Sequence, residues 1–114
     1  MADTYTKGRV IAARPSVTTE VLFYTVPAVT EIDGVLRICN QDTTSRTYSV
    51  AHTVAGHGDV AANGADFLCY DKIISANDTN EISIEAGATE TIRIKASIAD
   101  KLSFTVEGVK KVTS

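Results

Sequence analysis

The sequence predicts an all-β protein, an antiparallel β-sandwich of jelly-roll or Ig-like type with seven to eight strands. Apolar and polar residues alternate with a period of two in most runs, which places one side of each strand in a core. Turn-forming residues separate these runs at intervals of roughly 8–12 residues, a spacing typical of sandwiches and barrels. No long segment has the periodicity of a helix, so no helical layer is expected.

Residues 21–26 and 31–40 are the most apolar stretch of the chain and predict two consecutive strands. β-Branched and aromatic residues such as Val21, Phe23 and Tyr24 fit a half-buried pleated surface. Pro27 has no backbone N–H to donate, so it ends the first strand. We expect these two strands to pair at the centre of the sheet, with the other strands added around them.

The remainder of the chain predicts further strands joined by polar turns. Residues 109–112 are a candidate continuation of the last strand. The strand at 47–54 and the last three strands each predict one buried and one solvated face. The Gly- and Ala-rich residues 55–65 interrupt the alternation and predict the longest loop, with room for a short helical turn. The predicted strands cover residues 47–54, 66–74, 80–85, 89–96 and 102–107.

We expect residues 18–114 to form a single β-sandwich domain, with residues 1–17 as an N-terminal arm or as a first strand. This N-terminal segment is basic and has a short apolar patch in its middle. As an arm it would pair with a neighbouring subunit, by adding a strand or by placing charge on an acidic surface. As a first strand it would have a frayed end. Its candidate partner-binding residues are Tyr5, Lys7, Arg9, Val10, Ile11 and Arg14.

The chain of 114 residues has the length of one domain and can bury one core without cross-links. Its net charge of −3 argues against nucleic-acid binding, which usually requires a basic face. No apolar run approaches the ~18 residues that span a bilayer, and no secretory signal is visible, so we expect no membrane partner. Cys39 and Cys69 match neither a redox nor a zinc motif. They predict free, largely buried thiols, with a disulfide as the alternative if their strands are neighbours.

Few residues suggest a catalytic or metal-binding site. His52, His57 and Asp59 fall close together in the sequence, but a metal site needs a further ligand of suitable geometry. No Ser or Cys has the sequence context of an activated nucleophile. We therefore expect no enzymatic activity, no metal and no cofactor. His57 and Asp59 lie in the predicted long loop and are further candidate partner-binding residues.

Four segments, in the same order, resemble segments of a family of small β-sandwich virion proteins of tailed bacteriophages. They are Leu-Phe-Tyr-Thr-Val-Pro-Ala at 22–28, Val-Leu-Arg-Ile-Cys-Asn at 35–40, the stretch from Tyr-Asp to Asn-Asp-Thr at 70–79, and Ala-Asp-Lys-Leu-Ser-Phe at 99–104. The resemblance extends over roughly residues 16–108 and leaves out the basic N-terminal segment. It implies a structural component of a phage particle, without catalytic residues or a cofactor.

Within that resemblance, the first hypothesis is a capsid decoration or cement protein that binds over joints between major capsid subunits. A protein that binds only the assembled shell stabilises it by mass action. The partners would be the major capsid protein or other virion proteins, together with further copies of the chain, for example in a trimer. The protein would be made in the host bacterial cytoplasm and located in the virion.

Two alternatives remain open. One is a tail, collar or baseplate component, which would use similar strand contacts to build rings or a sleeve. The other is a receptor- or carbohydrate-binding domain of an adhesion device, which predicts an exposed aromatic cluster or a polar pocket at the loop end.

Overall fold

Two four-stranded antiparallel sheets contain most of residues 3–113, the part of the chain described by a computed structural model. Sheet A has the strand order β1-β8-β3-β6, and sheet B has the order β2-β7-β4-β5. A 3-10 helix at Gly64–Asp66 is the short helical turn expected in the long loop. The strands are β1 (Thr4–Ala13), β2 (Val21–Thr25), β3 (Thr30–Asn40), β4 (Arg46–Thr53), β5 (Phe67–Ile74), β6 (Thr79–Ala86), β7 (Thr91–Ala96) and β8 (Leu102–Val112).

The strands pair in a nested order. β1 pairs with β8, β2 with β7, β3 with β6 and β4 with β5, all antiparallel. Two further antiparallel pairings, β3 with β8 and β4 with β7, join these four pairs of strands into the two sheets. This order, in which the first strand pairs with the last, is that of an eight-stranded jelly roll. The predicted all-β sandwich is confirmed, and the strand order selects the jelly roll over the Ig-like alternative.

The prediction that β2 and β3 pair at the centre of one sheet is wrong. β3 is an interior strand of sheet A, whereas β2 is an edge strand of sheet B. Val26, between them, is fully buried and its backbone pairs with Thr89 and Glu90 of the β6–β7 turn, so the connection crosses from one sheet to the other. The high apolar content of both strands reflects burial against the shared core and carries no information about which strands are neighbours.

The core lies between the two sheets and is built from the inward residues of nearly every strand. Phe104 of β8 is at its centre, with the rings of Phe23 and Tyr48 each 6.3 Å away in tilted and edge-on arrangements. Aromatic pairs of this geometry add about 1 kcal/mol beyond the area they bury. The largest fully buried apolar side chains are Phe104, Leu36, Ile38, Ile74, Ile84, Ile92, Ile94, Leu102, Val26, Val50 and Val106.

Sheet B is buried on both faces of its two central strands. In β7, Ile92 and Ile94 face the core, but Thr91 and Arg93 on the other side are buried as well. In β4, Ser49, Ala51 and Thr53 are also buried. The predicted solvated faces of β4 and β7 are therefore wrong, because the loop that follows β4 folds back over this side of the sheet.

Asn40, the last residue of β3, is fully buried, and both polar atoms of its side chain have hydrogen-bond partners. Its Nδ2 donates to the backbone carbonyls of Thr44, Ile74 and Ser75 at 3.0–3.2 Å. Its Oδ1 accepts from the backbone N–H of Asp42 at 2.9 Å. Asn40 thus joins the β3–β4 turn to the end of β5, and it satisfies backbone groups that would otherwise be costly to bury.

Three glycines face one another across β1, β8 and β3 of sheet A. Gly8 is in register with Gly108, and Gly108 with Gly34. A Cβ on Gly34 would overlap the carbonyl oxygen of Glu107 and lie 2.9 Å from the Cα of Gly108. The backbones of β3 and β8 approach so closely at these paired positions that only glycine fits there.

Both thiols are free, in agreement with the first of the two interpretations, and both are half-buried. Cys39 is in β3 of sheet A and Cys69 is in β5 of sheet B, so the two strands are not neighbours in a sheet. Burial raises the pKa of the Cys69 thiol, partly opposed by a backbone hydrogen bond and by Lys72.

Candidate interaction surfaces

The basic N-terminal segment forms β1, an edge strand of sheet A. Residues 4–9 are all exposed, and Tyr5 retains 63% of its accessible surface. Lys7 is in register with Val109, and Val109 in turn with Asp33 of β3. Asp33 points outward because its neighbour Ile32 is in the core, so Tyr5, Lys7 and Arg9 all lie on the outer face of the sheet.

Val10 and Ile11, two other predicted contact residues, pack against the core instead. A β-bulge at Val10 shifts the register between β1 and β8. The extra residue breaks the strict alternation, which allows two consecutive apolar side chains to turn inward. Arg14, just past β1, donates from Nη1 to Oε1 of Gln41 at 3.2 Å.

The loop of residues 54–63, here the covering loop, carries the other two predicted residues. His57 closes the loop on itself, with Nε2 at 3.0 Å from the carbonyl of Val60 and 3.1 Å from that of Ala61. Asp59 extends toward β7 and accepts a hydrogen bond from Nη1 of Arg93 at 2.7 Å. Both residues therefore hold the loop in place, while the apolar side chain of Val60 is exposed at its tip.

Arg93 is the anchor of the covering loop. Its side chain is only 7% exposed, and its Nε donates to Oε2 of Glu20 at 2.5 Å. The same Glu20 oxygen accepts from the backbone N–H of Ala62 at 3.0 Å. Burial disfavours the charged guanidinium, but the hydrogen bonds to Asp59 and Glu20 outweigh it, so the pKa of Arg93 is raised. Arg93, buried between two carboxylates, ties the loop and the start of β2 to β7.

The predicted contact residues do not form one site. Those of β1 lie at the edge of sheet A, and those of the covering loop lie over the outer face of sheet B. Sequence reasoning missed Arg93 and Glu20 because alternation with Ile92 and Ile94 assigns Arg93 to a solvated face. No signal in the sequence shows that another segment covers that face.

His52, considered above as a metal ligand, is paired with a carboxylate. Its Nε2 is 2.6 Å from Oε1 of Glu90, which also accepts from the backbone N–H of Gly87 at 2.8 Å. The Gly87 hydrogen bond, with a smaller contribution from His52, lowers the pKa of Glu90 against the opposing effect of burial. Within residues 3–113, no group of three or more His, Cys, Asp or Glu side chains could hold a metal ion.

An open groove of about 540 Å³ crosses the outer face of sheet A near its β6–β7 end. Tyr5 and Lys111 line one side of it, and acidic residues from β3 and β6 line the other. Lys111 pairs with Asp3 at 3.6 Å. The acidic lining residues are Glu31, Asp33 and Glu85.

Farther along the same face, Arg37 of β3 lies between two acids of the neighbouring strands. Its Nε donates to Glu81 of β6 at 3.2 Å, and its Nη1 donates to Glu107 of β8. The Arg37 side chain is 46% exposed. Exposed cross-strand pairs of this kind add little stability but help to fix strand register.

The free edge of sheet B is apolar. On β5, Leu68, Tyr70 and Ile73 are exposed, and the ring of Tyr70 packs edge-on against Phe67 at 5.0 Å. A second groove of about 500 Å³ separates this edge from β6 of sheet A, with Leu68, Cys69 and Ile82 among its lining residues. The described part of the chain holds no helix long and apolar enough to cross a membrane.

Comparisons with known proteins identify the fold. No protein-family model and no curated protein sequence matches the chain. Among solved structures, it is similar to a chain in the structure of infectious bursal disease virus, Gx strain, with a TM-score of 0.53 and 11% identity; the match covers 97% of this chain and 32% of that one. The Tobacco streak virus coat protein aligns with a TM-score of 0.48 and 9% identity, over 97% of this chain and 86% of that one. At 11% identity, the first likeness shows a shared β-sandwich fold.

Proposed function

We propose that this chain is a structural protein of a virus particle, and specifically a capsid decoration or cement protein of a tailed bacteriophage. The observation that carries the proposal is the strand order of its two sheets. Eight strands paired first with last form a jelly roll, an architecture that builds viral capsid domains and also occurs in lectins and cupins. Because a fold alone does not fix a function, the viral role rests on two further supports.

The first support is the ordered sequence resemblance to small phage virion proteins between residues 16 and 108. The second is the likeness in fold to a chain of a virus structure. The two are independent, since one uses short sequence segments and the other uses backbone geometry at 11% identity. The partners in this proposal are the major capsid protein or other virion proteins, and further copies of the chain.

The contact elements of the proposal are β1 and the covering loop. They belong to different sheets and so offer two separate contact surfaces. A protein that bridges a joint between capsid subunits needs two separate contact surfaces of this kind. Lys7 and Arg9 would contribute charge on one side, and Val60 would contribute an apolar contact on the other.

The location is tested by cryo-electron microscopy of particles from cells that carry this protein. Density repeated over the shell, in hundreds of copies per particle, is the expected result. Density confined to the tail, neck or baseplate would replace the decoration role with the tail alternative. Particles without this density would overturn the virion proposal.

The contact elements are tested by adding the purified chain to particles that lack it. Val60→Asp and Lys7→Glu/Arg9→Glu should each reduce binding by about tenfold or more, because each removes one of two contacts. Lys72→Glu, an exposed charge reversal on β5, is the matched control and should bind normally. Full binding by both test variants would remove β1 and the covering loop from the interface.

A carbohydrate-binding role is the second candidate, and the groove on sheet A favours it. An exposed tyrosine beside several carboxylates matches the polar pocket that this alternative predicts. Aromatic rings stack on sugar faces, while carboxylates accept hydrogen bonds from sugar hydroxyls. Binding of the chain to a glycan array, lost in Tyr5→Ala and kept in Tyr70→Ala, would support this role. The absence of glycan binding would remove it.

A further inference from the structure

The two sheets differ in how their edges are protected. In sheet B, both edge strands are irregular: β2 has one register shift, and β5 has two, with Asp71 in a left-handed conformation at φ 47°. Bulges of this kind disrupt the row of backbone groups that another strand would need. In sheet A, β6 keeps its register over its whole length, and β1 keeps its register with β8 over residues 4–9, with a positive φ of 126° at Gly8. Sheet A therefore has two open edges at which a strand can be added.

The directions of the strands allow one copy to follow another. Within sheet A, β1, β8, β3 and β6 alternate in direction, since each neighbouring pair is antiparallel. The first and last strands of the sheet therefore run in opposite directions. If a second copy is placed beside the first in the same orientation, its β1 runs antiparallel to β6, and the alternation continues across the boundary.

The charges of the two edges are complementary. β1 contains Lys7 and Arg9 and no acidic residue, whereas β6 contains Glu81 and Glu85 and no basic residue. One row of paired residues, here called a rung, crosses all four strands of sheet A and consists of Lys7, Val109, Asp33 and Glu85. If the rungs continue into the next copy, its Lys7 lies directly opposite Glu85. Within residues 3–113, neither Lys7 nor Glu85 has an ion-pair partner.

The same charges oppose the symmetric alternatives. A two-fold contact between two β6 edges would bring acidic strands together, and one between two β1 edges would bring basic strands together. Like charges opposite each other destabilise a strand pair, whereas opposite charges stabilise it. Electrostatics therefore favours the contact of unlike edges over both contacts of like edges.

The groove beside β6 provides a place for the inward side of an added strand. This groove of about 500 Å³ lies between β6 and β5, and it is lined by the apolar Leu68, Cys69 and Ile82 together with polar residues that include Lys72 and Glu81. A strand that extends sheet A beyond β6 turns its inward residues toward the groove. With Lys7 opposite Glu85, the β1 residues that fall opposite Thr79–Ile82 at the groove are those of the uncharged run 10–13, Val-Ile-Ala-Ala.

We infer that copies of this chain associate head to tail, with β1 of one copy added to β6 of the next as a continuation of sheet A. A contact between two different surfaces forms a ring when its rotation closes and a filament when it does not. This inference goes beyond the proposed function, because it concerns the isolated chain and can be measured without any virus particle.

The test is sedimentation of the purified chain over a range of concentrations at low ionic strength, where exposed charges are least screened. The wild-type chain should associate as its concentration rises. Lys7→Glu and Glu85→Lys should each weaken association by about tenfold, since each places like charges on the shared rung. Both positions are exposed, and circular dichroism confirms that each variant is folded before it is measured.

Mixing the two variants gives the decisive result. In an equimolar mixture, the reversed β1 of one variant meets the reversed β6 of the other, and the unaltered edges also meet, so association should return to the wild-type level. Lys101→Glu, an exposed charge reversal in the turn before β8, lies outside both edges and the groove and should associate like the wild type. The inference is overturned if the wild-type chain stays monomeric, if the mixture shows no recovery, or if Lys101→Glu loses association equally. None of these outcomes bears on whether the chain is located in a virion.

Discussion

Arg93 and Glu20 form an ion pair of 2.5 Å that joins β7 to the residue preceding β2 on the covered face of sheet B. The 7% exposure of the Arg93 side chain sets this pair apart from the exposed pairs of Arg37. Both arginines lie between two carboxylates, Glu20 and Asp59 in one case, and Glu81 and Glu107 in the other. The two sites differ chiefly in burial.

Replacing the buried arginine should be far more costly than replacing the exposed one. Arg93→Met leaves the mostly buried Glu20 carboxylate without a cationic partner. We therefore expect a loss of about 3 kcal/mol in the free energy of unfolding. Arg37→Met is the matched control and should cost less than about 1 kcal/mol. Urea denaturation measures both values. Equal losses would show that the covering loop does not shield Arg93 from water.

The close approach of β3 and β8 at Gly34 predicts a steric effect. Gly34→Ala forces the backbones of the two strands apart, and we expect it to cost about 3 kcal/mol or to prevent folding. Gly64→Ala is the control, because nothing lies within 4 Å of a Cβ at that position. Thermal unfolding of the two variants should show a large loss for the first and almost none for the second. A stable Gly34→Ala variant would mean that the two strands can separate at little cost.

The lowered pKa of Glu90 predicts how the free energy of unfolding depends on pH. Its folded-state pKa lies below its ordinary value of 4.5, so its ionised form stabilises the fold above that pH. This contribution should be lost as the pH falls from about 5 through the lowered pKa. In Glu90→Gln the corresponding part of the acid destabilisation should be missing, as measured by urea denaturation between pH 3 and 7. Glu31→Gln, which removes an exposed carboxylate, is the comparison variant; a Glu90→Gln curve parallel to the wild type would contradict the prediction.

The buried amide of Asn40 predicts a further loss of stability. Asn40→Ala leaves three backbone carbonyls and one backbone N–H without the partner that they have in the fold. Unsatisfied buried polar groups cost about 1–3 kcal/mol each, and some of these can be reached by water, so we expect a total of about 3 kcal/mol. Gln41→Ala, which removes one exposed hydrogen bond, should be nearly neutral in the same denaturation experiment. Equal effects of the two substitutions would show that Asn40 does not organise its turn.

The strands themselves were predictable from sequence, but their arrangement was not. Alternation such as that of Leu102, Phe104 and Val106 marks a strand and its buried side because every second residue faces the core. It says nothing about which strands are neighbours in a sheet, which is why the predicted pairing of β2 with β3 is wrong. Nor does it show what covers the other face, so it wrongly predicts that Arg93 faces solvent. Two consecutive apolar residues at Val10 and Ile11 could have indicated the bulge.

The nested strand order has a consequence for how the chain acquires its structure. β8, the last strand, lies between β1 and β3, so sheet A cannot close until residues 102–112 have left the ribosome. Until then β1 has no partner in its own chain, and the most sequence-distant contacts form last. Folding dominated by such distant pairings proceeds in about milliseconds to seconds. Under the head-to-tail association inferred above, the basic strand of a nascent chain can meet the acidic β6 edge of a finished neighbour during that interval, which would couple the maturation of each copy to its assembly with others.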